Sequence, residues 1–117
     1  MKYLLLMYAD ESIVSKYSKE DLQAAASAWY AFMEEAKAAG VLLDNNGLDP
    51  STNAITVRVR EGKTLITDGP FAETHEQLGG HSLVNCADLD EASRWAEKIP
   101  TAKYGSVEIR PLWSPGS

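Results

Sequence analysis

The 117-residue chain is short of several residue types, and each shortage narrows what the protein can be. Its single cysteine, Cys86, allows no intramolecular disulfide, so a disulfide-stapled secreted scaffold is not indicated. No apolar run approaches the about eighteen residues of a membrane-spanning helix. The apolar part of the opening MKYLLLMY is too short for a signal peptide. We therefore expect a cytoplasmic protein without a membrane partner.

Positive charge is also scarce. Eleven Lys and Arg residues stand against seventeen Asp and Glu, a net charge of −6, and the basic residues are scattered. Because a nucleic-acid backbone requires a basic surface, nucleic acid is not an expected partner. The chain lacks a P-loop, a G-x-G-x-x-G loop and a G-x-S-x-G elbow, and we expect no cofactor.

What the chain does contain is an alternation of strand and helix patterns. Residues 2–8 are apolar on both sides of a strand, which is typical of a central strand. Residues 19–39 carry an apolar stripe at helical spacing between the N-cap Ser18 and the C-cap Gly40. A second helix follows the N-cap Asp88. Further strands are predicted at residues 41–48, 54–60, 63–68, 81–86 and 106–113.

This order, β-α-β-β-β-β-α-β, predicts an α+β ferredoxin-like sandwich with two helices on one face of an antiparallel sheet. We expect one domain over residues 1–117, with a frayed tail at 114–117. In the 54–60 strand we expect Ile55, Val57 and Val59 to face inward. The other sheet face cannot be wholly polar, since the first strand is apolar on both sides. A homodimer packed sheet on sheet is therefore predicted, with the cleft between the sheets as the pocket.

The stretch TDGPFAETHEQLGGH, residues 67–81, concentrates the polar chemistry and holds both histidines. Gly69-Pro70 forces a turn, after which Phe71 is expected to dock on the core. Residues 74–77 fit the capping box of a short helix, and the double glycine at 79–80 lets the chain reverse into the next strand.

Two residues of this stretch are our candidate catalytic pair. Asp68 closes a strand, where a carboxylate can act as a general base, anchor a ligand hydroxyl, or simply cap the turn. His81 begins a strand on the side of Leu83, where an imidazole facing the cleft can move a proton. The alternative for His81 is a hydrogen-bonded, partly buried side chain.

Three more residues are candidate ligand contacts: Tyr8, Arg58 and His75. His75 is expected to be exposed, and Arg58 either binds an anionic ligand or pairs with Glu108 across the sheet. The two histidines have no zinc-binding spacing, so we predict no metal site. Cys86 is expected to be a small core residue.

Much of the chain resembles a known family. The segments MKYLLLMYADE, TVRVREGKTLITDGPFAETHEQLGGHSLVNCADLDEASRWAEKIP and GSVEIRPL resemble the YCII-related proteins, in the branch named for its Asp-Gly-Pro-Phe (DGPF) motif. The resemblance implies a dimeric α/β barrel, built from ferredoxin-like protomers that face each other through their sheets, and a bacterial origin.

The resemblance also implies a His–Asp pair in the inter-sheet cleft, with Asp68 as the acid. The histidine of that pair is expected on the first helix, which contains none, and His81 is the candidate to replace it. An aromatic residue is more usual at position 81 in this branch, and a lysine at position 75.

Two hypotheses for the function follow. The first is small-molecule binding in the cleft with cofactor-free acid–base chemistry, such as isomerisation or dehydration. The second is a non-catalytic regulatory or interaction role, since genes of this branch often neighbour those of extracytoplasmic-function sigma factors.

Overall fold

The computed structural model describes residues 1–115. Its strands are β1 (Lys2–Ala9), β2 (Leu42–Gly47), β3 (Ile55–Arg60), β4 (Lys63–Asp68), β5 (Gln77–Asn85) and β6 (Ser106–Pro111). Its helices are α1 (Glu11–Val14), α2 (Lys19–Ala38) and α3 (Leu89–Glu97), with 3-10 turns at Ser51–Asn53 and Pro100–Lys103. Of the tail predicted to fray, residues 116–117 lie outside the described range.

Four of the strands form one antiparallel sheet in the order β2-β5-β1-β6. With α2 and α3 as the crossover helices, this order is the ferredoxin-like arrangement, so the predicted fold class is confirmed. β1 is central, and its Tyr3, Leu5 and Met7 are buried against the helices. Phe32 and Ala36 of α2 pack onto the same core.

The helix boundaries follow from local signals that the sequence carries. Ser18 caps α2 in a full capping box with Asp21, and Gly40 takes the left-handed conformation just after the helix, at φ 71°. Asp88 caps α3 by accepting the Glu91 amide. The short helix α1, capped by Asp10, was not predicted.

The β3–β4 hairpin stands apart from the main sheet as a separate two-stranded ribbon. Its turn residues, Glu61 and Gly62, both have positive φ, as a two-residue hairpin turn requires. Contrary to the prediction, the apolar side chains of β3 do not face inward in the single chain. Those of Ile55, Val57 and Val59 are 60–64% exposed.

The motif stretch also differs from its prediction. Residues 74–77 form no helix: the Thr74 hydroxyl donates to the Glu76 carbonyl at 2.5 Å, and the Gln77 side-chain amide donates to the Thr74 carbonyl at 2.6 Å. Gln77 is already the first residue of β5, paired with Ala9. A side chain that donates to a carbonyl closes a loop instead of capping a helical N–H.

The double glycine is part of β5 and not the exit from a turn. A Cβ on Gly80 would come within 2.9 Å of the Asn46 carbonyl oxygen of β2. Gly79 has nothing closer than the Met7 carbonyl at 4.0 Å. The close approach of β2 is therefore the reason for glycine at position 80. Phe71 is likewise not docked on the core, being 78% exposed.

Candidate functional site

His81 lies on the sheet face that points away from the helices, which we call the open face. It is paired with Leu6 on β1 and Asn46 on β2, and Leu4 and Leu83 pair beside it on the same face. Its Nδ1 atom is enclosed without a hydrogen-bond partner, the only such side-chain atom in residues 1–115. The alternative of a hydrogen-bonded histidine does not hold for this nitrogen.

Asp68 ends β4, opposite Ile55, and is exposed. Its carboxylate does not cap the turn that follows. The Gly69 amide donates to the Ala54 carbonyl at 2.6 Å, and the Thr56 hydroxyl donates to the Gly69 carbonyl at 2.9 Å. The turn is therefore held without Asp68, and its carboxylate stays available for a ligand or a partner.

Within the single chain, the two candidate catalytic residues do not come together. Asp68 lies in the β3–β4 ribbon and His81 in the main sheet, and no hydrogen bond or ion pair links the two within residues 1–115. An acid–base reaction that uses both groups therefore requires a ligand, a movement of the ribbon or a second chain to bring them together.

Two of the three candidate ligand contacts, Tyr8 and Arg58, have structural partners, whereas His75 is exposed, as predicted. The Tyr8 hydroxyl donates to Glu108 Oε1 at 3.4 Å, and Glu108 also pairs with Arg110 at 3.2 Å. Arg58 donates from Nη2 to the Phe71 carbonyl at 3.4 Å. The predicted alternative of an Arg58–Glu108 pair is wrong, because Arg58 lies in the separate ribbon and Glu108 lies in the main sheet.

A cavity of about 500 Å³ lies between the loop of residues 69–76, which we call the motif loop, the base of the ribbon and the end of β1. We call it the motif cavity; its walls include Tyr8, Leu48, Pro70, Phe71 and Leu78. Of the five predicted site residues, Tyr8 alone lines it. Its other walls include Asp49 and Glu76, so the charge it presents is negative.

A larger cavity of about 750 Å³ lies on the helix side of the sheet. We call it the helical cavity; its walls include Met7, Trp29, Met33, Gly80 and Thr101. Sequence reasoning missed this cavity. The signal in the sequence was the double glycine of β5, since both glycines line the cavity and supply no side-chain volume.

The family model of the YCII-related domain matches residues 1–114 of the chain. The chain belongs to the YCII-related family. It is also 42% identical, over 120 residues, to an uncharacterised protein of Rhizobium meliloti (strain 1021), and the match covers 99% of this chain and 97% of the relative.

Two groups of this YCII-related protein have displaced pKa values. Hydrogen bonds from the Ser12 hydroxyl and amide, at 2.7 and 2.9 Å, lower the pKa of Asp10, and His75 adds a weaker attraction. Burial, followed by the negative charge of Glu91, raises the pKa of the Cys86 thiol. Cys86 is 3% exposed, so the prediction of a core residue is confirmed. Such a thiol is a poor nucleophile.

Two further properties of the YCII-related chain concern residues 1–115. In this range no three His, Cys, Asp or Glu side chains are grouped so that they could hold a metal ion. None of the helices described there is both long enough and apolar enough to cross a membrane.

Proposed function

We propose that this YCII-related protein binds a small molecule in a cleft formed when two copies pack their open sheet faces together. The observation that carries the proposal is the enclosed, unpartnered Nδ1 atom of His81 in the middle of that face. An enclosed polar atom without a partner costs about 1–3 kcal/mol, so a fold that retains one is consistent with a ligand that supplies the missing bond.

The exposed surface supports the second copy as the cover of this face. A compact monomer of 12.8 kDa is expected to expose about 6,300 Å², whereas the chain exposes 8146 Å². The excess of roughly 1,900 Å² per copy would supply the 2,000–5,000 Å² that obligate dimers bury in total. The radius of gyration is 16.3 Å, compared with about 13 Å for a compact chain of this length. This extension also supports a second copy as the cover of the open face.

The ribbon accounts for much of this extension. One of its faces presents Ile55, Val57, Val59 and Ile66, all 60–68% exposed. Its other face carries Thr56, Arg58 and Thr67. A two-stranded hairpin is only marginally stable in water. An apolar face that stays exposed to solvent does not stabilise it. We assign this face to contact with the partner copy.

The proposed chemistry is proton transfer without a cofactor, of the isomerase or lyase type. His81 moves the proton, and Asp68 holds a hydroxyl of the ligand or acts as the base. Tyr8, Arg58 and His75 are the proposed ligand contacts. The DGPF branch, the bacterial origin and the cytoplasmic location are parts of the same proposal.

A thermal-shift screen of metabolites tests the ligand site. We expect a ligand to stabilise the wild type and Tyr30→Ala equally, and to lose its effect in His81→Ala. Tyr30 is the control, because it is 67% exposed and lies on α2, on the other side of the sheet from His81. A ligand that still stabilises the double variant Asp68→Asn, His81→Ala would refute the assignment.

Light scattering after gel filtration tests the dimer. The wild type is expected to elute as a dimer and Val57→Glu as a monomer, since a charge on the apolar ribbon face opposes association. Thr67→Glu places the same charge on the opposite face of the ribbon and is expected to remain dimeric. A monomeric wild type at all concentrations would contradict the proposal.

The separation of Asp68 from His81 favours a second candidate, a non-catalytic interaction protein. In this role the apolar ribbon face contacts another protein, and an extracytoplasmic-function sigma factor is the proposed partner. Co-purification of such a sigma factor with the wild type but not with Val57→Glu would support this role. Failure to bind any sigma factor encoded beside the gene counts against it.

A further inference from the structure

The helical cavity exists because α2 rests on the sheet with only part of its length. Its second half is anchored by the buried Phe32 and Ala36, whereas Leu22 in its first half is 52% exposed. From β5 the cavity is lined by Gln77, Gly79 and Gly80, so the two glycines leave it without side-chain volume there. The space left between helix and sheet is within the 300–1,000 Å³ of typical small-molecule sites.

The cavity walls combine apolar surface with unpartnered hydrogen-bonding groups. Met7, Val14, Met33 and Leu48 supply the apolar surface. Trp29, Thr101 and Tyr104 line the cavity as well. Within residues 1–115, the indole N–H of Trp29 and the hydroxyls of Thr101 and Tyr104 make no hydrogen bond.

Thr101 is the most informative of these groups, because it is only 5% exposed. Its hydroxyl has no hydrogen-bond partner and is not among the fully enclosed unpartnered side-chain atoms of residues 1–115, where His81 Nδ1 stands alone. The hydroxyl therefore keeps some exposed surface, and Thr101 lines the cavity. A buried hydroxyl that faces an apolar space is the kind of group that fixes the orientation of a ligand.

The charge of the walls restricts what can bind. Among residues 1–115, Glu11 is the one charged residue of the lining. Its two carboxylate oxygens accept the Ser51 amide and hydroxyl, both at 2.7 Å, which ties α1 to the loop before β3. Without a cation in the lining, and with a net charge of −6 on the chain, the cavity disfavours anions.

We propose that the helical cavity is a second binding site, for an uncharged and largely apolar ring compound that carries one hydroxyl or carbonyl oxygen. The oxygen pairs with Thr101, and the ring packs among Trp29, Met7 and Met33. This site does not depend on the dimer cleft, because it lies on the opposite side of the sheet from His81. It shares three wall residues with the motif cavity: Leu48, Pro50 and Gln77.

An NMR titration of the ¹⁵N-labelled full chain tests the proposal with two probes, 1-naphthol and 1-methylnaphthalene. Both are expected to shift the Trp29 indole signal, identified through Trp29→Phe, together with the amides of Gly80 and Thr101. Thr101→Val removes the hydroxyl and keeps the shape. It is expected to weaken 1-naphthol by roughly three- to ten-fold, the value of one hydrogen bond, and to leave 1-methylnaphthalene unchanged.

Two variants are designed to fill the space. Met33→Trp enlarges a wall residue from α2, and Val14→Trp does so from the exposed side of α1, should the first fail to fold. Either folded variant is expected to abolish binding of both probes. Phe71→Ala, in the motif cavity, is the control and is expected to bind both probes as the wild type does.

Shifts confined to residues 70–78, no saturable shift at the Trp29 indole, or full binding by a folded filling variant would each overturn the proposal. A failed search for a ligand of the dimer cleft would leave this result untouched, because the readout comes from signals on the helix side of the sheet.

Discussion

Replacement of His81 by phenylalanine is expected to stabilise the ligand-free protein. The substitution removes an enclosed Nδ1 atom that has no partner and leaves an aromatic ring of similar size beside Leu6 on the open face. Removal of an unsatisfied enclosed acceptor is worth about 1–3 kcal/mol. Because the side chain as a whole is only half-buried, we expect the lower part of this range, about 1–2 kcal/mol.

The neighbouring Ser82 provides the matched control. Its side chain is fully buried, and its hydroxyl donates to Asn45 Oδ1, so Ser82→Ala leaves that oxygen without a donor. We expect a loss of about 1–3 kcal/mol. Adjacent residues of one strand should thus give opposite signs, because one polar group has a partner and the other has none.

Urea unfolding, followed by tryptophan fluorescence at several protein concentrations, measures both changes. The concentration series separates the stability of the chain from that of a dimer. For a chain of this length, 1–2 kcal/mol corresponds to a rise in Tm of roughly 4–8 °C. If His81→Phe is less stable than the wild type at every concentration, Nδ1 has a partner in the folded protein, and the argument for a ligand at His81 fails.

Four other features of the chain are tested by substitution or labelling: the cap of α3, the two glycines of β5, the Cys86 thiol and the Asp10 carboxylate. Asp88→Ala removes the cap of α3 and should cost about 1 kcal/mol in urea unfolding; no loss would mean that the cap is replaced by water. Gly80→Ala should cost roughly 1–3 kcal/mol because its Cβ meets the backbone of β2. Gly79→Ala should be nearly neutral. Equal losses of stability in the two variants would refute the role assigned to the contact between Gly80 and β2. Cys86 should react with a thiol reagent at pH 8 far more slowly in the native than in the urea-unfolded protein, since burial both shields the thiol and raises its pKa; equal rates would contradict this. Asp10 has a lowered pKa in the folded chain, so its contribution to stability is present above its unfolded pKa of about 3.9 and is lost as the pH falls through the folded value. Asp10→Asn should make the free energy of unfolding fall less steeply as the pH is lowered. An unchanged dependence on pH would exclude this role.

The local elements of the fold were predictable, because their signals lie close together in the sequence. The capping box at Ser18, the glycine at position 40 and the cap Asp88 mark the helix ends within a few residues. The two apolar faces of β1 identify the central strand in the same way. From these elements the ferredoxin-like order follows.

The position of the ribbon was not predictable from the same signals. Alternation in β3 indicates an apolar face, but it does not say whether this face meets the core of its own chain or another molecule. The motif loop was misjudged for a related reason. Thr74 and Gln77 fit a capping box by spacing, yet Gln77 already pairs with Ala9 in the sheet, and tertiary pairing outweighs a local cap.

The candidate site was predictable only in part. The open face around His81 follows from strand alternation, since Leu83 and His81 fall on the same side of β5. The helical cavity does not follow from any pattern of polar residues. It lies where Gly79 and Gly80 supply no side-chain volume, and such a space becomes visible only when helix and sheet are packed together.

The motif stretch links the ribbon to the main sheet, in addition to the hydrogen bonds between Ser51 and Glu11. Arg58 of the ribbon donates to the Phe71 carbonyl, and Gln77 of the sheet donates to the Thr74 carbonyl. The Gln77 side-chain oxygen in turn accepts the Glu11 amide at 2.9 Å, which fixes α1. The loop therefore sets the angle between the ribbon and the sheet and borders both cavities. The proposed dimer, in which the ribbon contacts a second copy, requires that angle to be held, so the motif has a structural role in the proposal that is separate from any reaction at Asp68.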